Sequence, residues 1–147
     1  MKRCVLQVLK TVTVICVALI ALSWQQNTAF AGGFSTTCQN ITYGVNAPTF
    51  LEAECLDQQQ NLRDTEIDLN NVIQNRDGNL AWDNNGGRFN TTCQACSIEI
   101  EGPQFPGSVF FQCNTCQRAD GSLNNNPDIS LNEKISNQNG ELDFDGV

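Results

Sequence analysis

The sequence predicts an all-β domain built from two tandem copies of one unit, and three observations predict it. The chain repeats itself: "FSTTCQN" at Phe34–Asn40 returns as "FNTTCQA" at Phe89–Ala95, and "IDLNNVIQNRDGNLAW" at Ile67–Trp82 returns as "ISLNEKISNQNGELDF" at Ile129–Phe144. Self-similar units of this period bury a shared core when two copies pack together. Within each copy, short runs of apolar and β-branched residues alternate between Gly, Pro and Asn punctuation, as strands and turns do. Beyond residue 31 there are six cysteines, an even number spread over both copies.

The N-terminus comes first in the chain and sets the compartment. Met1-Lys2-Arg3 and Lys10 form a basic start, and Thr11–Trp24 is an uncharged, mostly apolar run of fourteen residues. That is short of a membrane-spanning helix, and Ala29-Phe30-Ala31 places small residues where a signal peptidase needs them. Residues 1–31 are therefore read as a signal peptide and residues 32–147 as one domain, secreted or periplasmic, with no stable membrane association once the leader is removed. Export implies oxidising surroundings, in which thiols pair. The whole chain carries a formal charge of −8. Without the leader, five basic residues face sixteen acidic ones, a net charge of −11. Such a surface repels phosphate backbones and makes nucleic acid a poor partner. There is no histidine, so the commonest general base and metal ligand is missing.

Strands are expected around Ile41–Tyr43, Phe50–Ala53, Ile98–Ile100 and Val109–Phe111, four or five short ones per copy. "RDGNLAW" and "QNGELDF" each set an Asp-Gly or Asn-Gly dipeptide between short runs, the strongest local hairpin signal. "LNNVI" and "LNEKI" read as single helical turns, too short to stand alone. "DNNGGR" and "GSLNNNPD" are loops by composition. The copies run from about 33 to 83 and 88 to 145. Their offset is 55 residues in the first block and 62 in the second, so about seven residues are inserted between.

The spacing "CQAC" at Cys93–Cys96 and "CNTC" at Cys113–Cys116 fits a zinc ribbon as well as a pair of staples. Export, and a first copy with one cysteine on each corresponding strand, favour staples. A redox CxxC would need a βαβ setting that the pattern lacks. Facing residues of an antiparallel hairpin share a constant index sum, which favours nested bridges Cys93–Cys116 and Cys96–Cys113 about a turn centred on Gln104-Phe105. Cys38–Cys55 is the corresponding bridge of the first copy. No metal or other cofactor is expected.

Phe34-Ser-x-Thr-Cys38, the second cysteine opening Cys116-x-Arg118-x-x-Gly121, and Ile67-Asp-Leu-Asn-x-x-Ile73-x-Asn75-x-Asp77-Gly78-x-Leu80-x-Trp82 resemble the cyanovirin-N homology family of mannose-binding lectins. The resemblance implies one elongated pseudo-twofold all-β molecule in which each half exchanges a β-hairpin with the other and neither repeat folds alone. It also implies that Cys93–Cys116 is the family bridge and Cys96–Cys113 an extra one.

The same resemblance implies two shallow polar sites for the terminal Manα1-2Man unit of high-mannose glycans. The first would gather Gln74, Asn75, Asp77, Arg88, Thr91, Thr92, Gln117 and Arg118, with Asn85 to Gly87 and Ala119 alongside. The second would gather Gly33, Thr36, Thr37, Asp57, Gln58, Asn137, Gln138 and Asn139, and it departs further from the family: Leu56 is usually polar, Asp57 stands for Arg and Asn139 for Asp. Asn and Gln supply the paired donors and acceptors that sugar hydroxyls need. Asn75 and Asp77 also read as turn residues before Gly78. The alternative is a protein-interaction module that kept the fold and lost the sugar. An enzymatic reading of Glu99 and Glu101 is weak, because carboxylates on one strand do not flank a glycosidic bond. Asn40 and Asn90 open glycosylation sequons. A monomer or a dimer swapped through Asp83–Arg88 is expected.

Overall fold

The computed structural model describes residues 32–102 and 107–146. The leader at 1–31 and the turn centre at Gln104-Phe105 lie outside the described residues. The first copy forms a three-stranded antiparallel sheet, β1 (Cys38–Tyr43), β2 (Phe50–Leu56) and β3 (Leu62–Asp68), followed by a hairpin of β4 (Ile73–Arg76) and β5 (Asn79–Trp82). The second repeats this with β6 (Cys93–Glu101), β7 (Ser108–Gln117), β8 (Leu123–Asn125) and β9 (Asp128–Ser130), then a hairpin of β10 (Ile135–Gln138) and β11 (Glu141–Phe144). Short 3-10 turns at Phe34–Thr36, Leu69–Asn71, Phe89–Thr91 and Leu131–Glu133 open each sheet and each hairpin.

Alternation explains the sheets. Along β2, Leu51, Ala53 and Cys55 face inward while Glu52 and Glu54 face outward; along β7, Val109, Phe111 and Cys113 do the same. The expected helical turns are 3-10 turns, and each starts with a large buried residue: Leu69 and Leu131 in the two quoted motifs, Phe34 and Phe89 in two turns that the apolar pattern did not reveal. Both hairpins close with two residues in the left-handed region, Asp77 (φ 51) with Gly78 (φ 88) and Asn139 (φ 59) with Gly140 (φ 91). This is the mirror-image turn that Asp-Gly and Asn-Gly favour because it matches strand twist.

The inserted residues are now placed. Cys38 and Cys55 are 17 apart while Cys93 and Cys116 are 23 apart, so six of the seven extra residues lengthen the second hairpin. The seventh is Asn126, in the left-handed region at φ 52, where it splits one strand into β8 and β9. Register along β6 and β7 keeps one index sum from Cys93↔Cys116 to Glu101↔Ser108. All three expected bridges are present, Cys38–Cys55, Cys93–Cys116 and Cys96–Cys113. The sulfurs of Cys93, Cys113 and Cys116 lie within 4.8 Å of one another, and each is already bonded in a disulfide.

The hairpins are exchanged. The β4–β5 hairpin of the first copy bonds to the second sheet, through Asn75 to Thr92 and Asn124 to Gly78, and the β10–β11 hairpin of the second bonds to the first, through Asn137 to Thr37 and Leu142 to Thr65. Repeat-mates fill one core: Phe34 with Phe89, Leu69 with Leu131, Ile73 with Ile135, and Leu80 with Leu142. Trp82 stacks on its own repeat-mate Phe144 at 5.6 Å, and Phe89 meets Phe111 edge-on at 4.9 Å.

The extra bridge closes a 17-residue span. The double variant Cys96→Ala, Cys113→Ala should lose about 3 kcal/mol in urea unfolding on the chain-entropy account while keeping a native amide spectrum. Loss of the folded spectrum would show that this bridge is required for the fold and not merely added to it.

Candidate functional site

Each seam between an exchanged hairpin and the opposite sheet is built on one asparagine. The Asn75 amide nitrogen donates to Thr92 Oγ1 at 2.8 Å and to the Gln117 carbonyl at 2.7 Å, while its Oδ1 accepts the Gly78 amide at 2.7 Å. At the other seam the Asn137 amide nitrogen donates to Thr37 Oγ1 and to the Leu56 carbonyl, both at 2.9 Å, and Oδ1 accepts the Gly140 amide at 2.7 Å. Both N–H groups of each amide are consumed inside the protein. Asn75 and Asn137 are thus clamps that hold hairpin to sheet, and their amide donors do not face a ligand. Asp77 and Asn139 add a second tie, accepting the Ala119 amide at 3.0 Å and the Gln58 amide at 2.8 Å. Asn139 in place of Asp leaves that tie intact, since either residue offers the oxygen.

Around the first clamp lies an exposed polar strip. Gln74 and Arg88 form an antiparallel bridge, so their side chains share a face. Gly87 permits this approach: a Cβ there would lie 1.9 Å from the Ile73 carbonyl oxygen. Thr91 donates to the Arg88 carbonyl at 2.9 Å, and the Gln117 amide donates to the Thr92 carbonyl at 2.9 Å. The Arg118 guanidinium donates to Asn124 Oδ1 at 3.0 Å and lies over the hairpin tip. Gln74, Arg88, Thr91, Thr92, Gln117 and Arg118 are therefore brought together. Asp120 folds the adjoining loop, accepting the Ser122 amide at 2.9 Å and its hydroxyl at 2.6 Å; the Ser122 hydroxyl, then its amide and the nearby Arg118, hold the Asp120 carboxyl below the usual range.

The second site keeps the clamp and loses much of the strip. Gly33, Thr36, Thr37 and Gln58 flank it, with Thr36 donating to the Gly33 carbonyl at 2.9 Å. Leu56 stands where Gln117 does and offers only its carbonyl, already taken by Asn137. Gln138 donates to Ser136 Oγ at 3.0 Å, and Ser136 donates to Asp145 at 2.7 Å, a network absent from the first site. Asp57 is 2% exposed. Its carboxylate accepts the Gln59 and Asn61 amides, both at 2.9 Å, and Arg63 Nε at 2.8 Å. It organises the loop from within and presents no free oxygen to a ligand. Arg63 and Asn124, repeat-mates beneath the two hairpin tips, escaped sequence reasoning; aligning Asp57-to-Arg63 with Arg118-to-Asn124 is the signal that finds them.

The Asn61 amide, aided by Arg63, the Asn61 side chain and the Gln59 amide and opposed by burial, holds the Asp57 carboxyl below its ordinary value. A depressed folded-state value means that the stabilisation is fully present above the unfolded value of about 3.9 and is lost as pH falls through the lower folded one. In an NMR pH titration the Asn61 amide should hold its native shift until below the ordinary aspartate range, and Asp57→Asn should abolish the transition. A midpoint at or above about 3.9 would contradict the assignment.

Comparisons with known proteins agree with this architecture. The CVNH domain family matches residues 34–143. Among solved structures, the Microvirin:mannobiose complex is 30% identical with a TM-score of 0.61, over 77% of this chain and 98% of that one. The CVNH protein of Gibberella zeae is 26% identical with a TM-score of 0.66, over 77% and 97%. A designed cyanovirin-N homolog lectin is 26% identical with a TM-score of 0.65, over 76% and 98%. No curated protein matches the sequence. With the family match spanning both sheets and almost all of both exchanged hairpins, this chain belongs to the CVNH family.

Proposed function

We propose that the protein is an exported, non-enzymatic lectin that binds the α1-2-linked mannose termini of high-mannose glycans, chiefly through the strip of Gln74, Arg88, Thr91, Thr92, Gln117 and Arg118. The observation that carries this reading is the seam itself: hairpin β4–β5 and the second sheet are locked together so that polar groups distant in sequence share one exposed surface. Family membership and the 30% identity to a protein described in complex with mannobiose support the ligand class. The basic-then-apolar leader and three disulfides support export.

The second site is the weaker one on this reading. A leucine cannot replace a hydrogen-bonding side chain, and Asp57 is turned inward. A shallow disaccharide site has little buried area to offset immobilisation, so each site binds modestly. High avidity for branched glycans then requires a second working site or a dimer.

Titrating the disulfide-bonded protein with α1-2 mannobiose and following backbone amides tests this. Shifts are expected at Gln74, Thr91, Thr92 and Gln117 first, with those at Thr36, Thr37 and Gln58 at higher concentration or not at all. A well-dispersed spectrum that does not move would sink the mannose reading and favour a protein-interaction module.

A further inference from the structure

Five basic residues stand beyond residue 31, against sixteen Asp and Glu. Three of the five, Arg76, Arg88 and Arg118, surround the first site. Arg88 pairs with Gln74, and Arg76 lies two residues along β4, so alternation puts all three side chains on one face. Arg118 crosses the tip: a Cβ on Gly78 would sit 2.8 Å from its Cγ and 3.3 Å from its Nε. Arg88 thus stands beside the strip, Arg76 just before the hairpin tip, and the Arg118 side chain over it.

None of these arginines pairs with a carboxylate. Among the described residues the one ion pair is Arg63–Asp57, at the second site. In a domain this acidic, three arginines are gathered with no carboxylate in ion-pair contact; Arg118 donates instead to the neutral Asn124 and stands near Asp120. Two carboxylates do lie near, Asp77 and Asp120, and each is bonded to backbone N–H groups, of Ala119 and Ser122.

The repeat supplies an internal control. The mates of Arg76, Arg88 and Arg118 are Gln138, Gly33 and Asp57, none of them cationic. Opposite Arg76 stands Asn79, whereas opposite Gln138 stands Glu141; opposite Gln74 stands Ala81, whereas opposite Ser136 stands Asp143. The same backbone therefore carries three arginines at one seam, and at the other Glu141 and Asp143 with the single arginine Arg63, which is tied to Asp57. Fold maintenance needs neither, because both clamps are complete.

Resting on the glycan reading above, we infer that the first site takes an acidic oligosaccharide, a mannose chain bearing a phosphate or carboxylate beside the bound unit. Guanidinium groups match the two oxygens of such an anion with paired N–H donors, which ammonium groups or amides do not. The acidic remainder of the surface then excludes polyanions that lack a sugar to bind.

The test is a paired titration of the isotope-labelled, disulfide-bonded protein with neutral α1-2 mannobiose and with the same disaccharide carrying a 6-phosphate. In low salt the phosphorylated sugar should bind roughly three- to tenfold more tightly at the first site, as a few exposed charge contacts allow. The preference should shrink in high salt. Arg76→Gln, which copies Gln138, should cut the preference at least about in half. Equal or weaker binding of the phosphorylated sugar would overturn the inference and leave the neutral-mannose reading standing. Displacement of the phosphorylated sugar by inorganic phosphate alone, with no neutral-sugar binding, would reduce the site to a simple anion patch and overturn it too. If neither sugar moves an amide of the folded protein, both readings fall.

Discussion

The architecture of both seams depends on the asparagine at the start of each hairpin turn. Asn75 and Asn137 each spend three hydrogen bonds in the same way: two donated to the opposite sheet and one accepted from their own turn glycine. Each such bond contributes about 1 kcal/mol, and a buried partner left unpaired costs more. The larger consequence is geometric. The clamp ties the hairpin of one copy to the sheet of the other, so neither copy completes its core or its polar seam without its neighbour. The stack of Trp82 on Phe144 joins the two hairpins at the pseudo-twofold axis.

Much of this was legible in the sequence because repetition and pairing leave arithmetic traces. The Asp77-Gly78 and Asn139-Gly140 turns, the helical turns at Leu69 and Leu131, and all three bridges follow from local chemistry, index sums or correspondence between the copies. Hairpin exchange did not follow from the residues; only the family resemblance supplied it, since nothing local says which sheet a hairpin will meet. The turns at Phe34 and Phe89 were missed because three residues carry no helical periodicity.

Which residues the hairpin seams bring together was legible; what their side chains touch there was not. Asn75 was expected to serve turn and sugar together, and its amide donors are wholly internal. Asp57 was expected at a binding surface and is buried, its carboxylate accepting hydrogen bonds from its own loop and from Arg63. Burial and partner choice belong to tertiary structure, which a residue's type does not reveal. The contrast between the seams is equally instructive: identical clamps, with arginines around one and a leucine and carboxylates around the other. Two copies of one scaffold have been given different surfaces without disturbing what holds them together.

The central claim is that the two copies are one folding unit joined by exchanged, clamped hairpins. Cutting the chain between Gly87 and Arg88 tests it most directly, with each fragment produced separately, its disulfides formed, and the two then mixed at equal concentration. The account predicts collapsed dispersion in the amide spectrum of either fragment alone and recovery of the native spectrum, including the Gly78 and Gly140 amides bonded to the clamps, on mixing. A native-like spectrum from either fragment by itself would contradict it, because that copy would then be closing its hairpin on its own sheet.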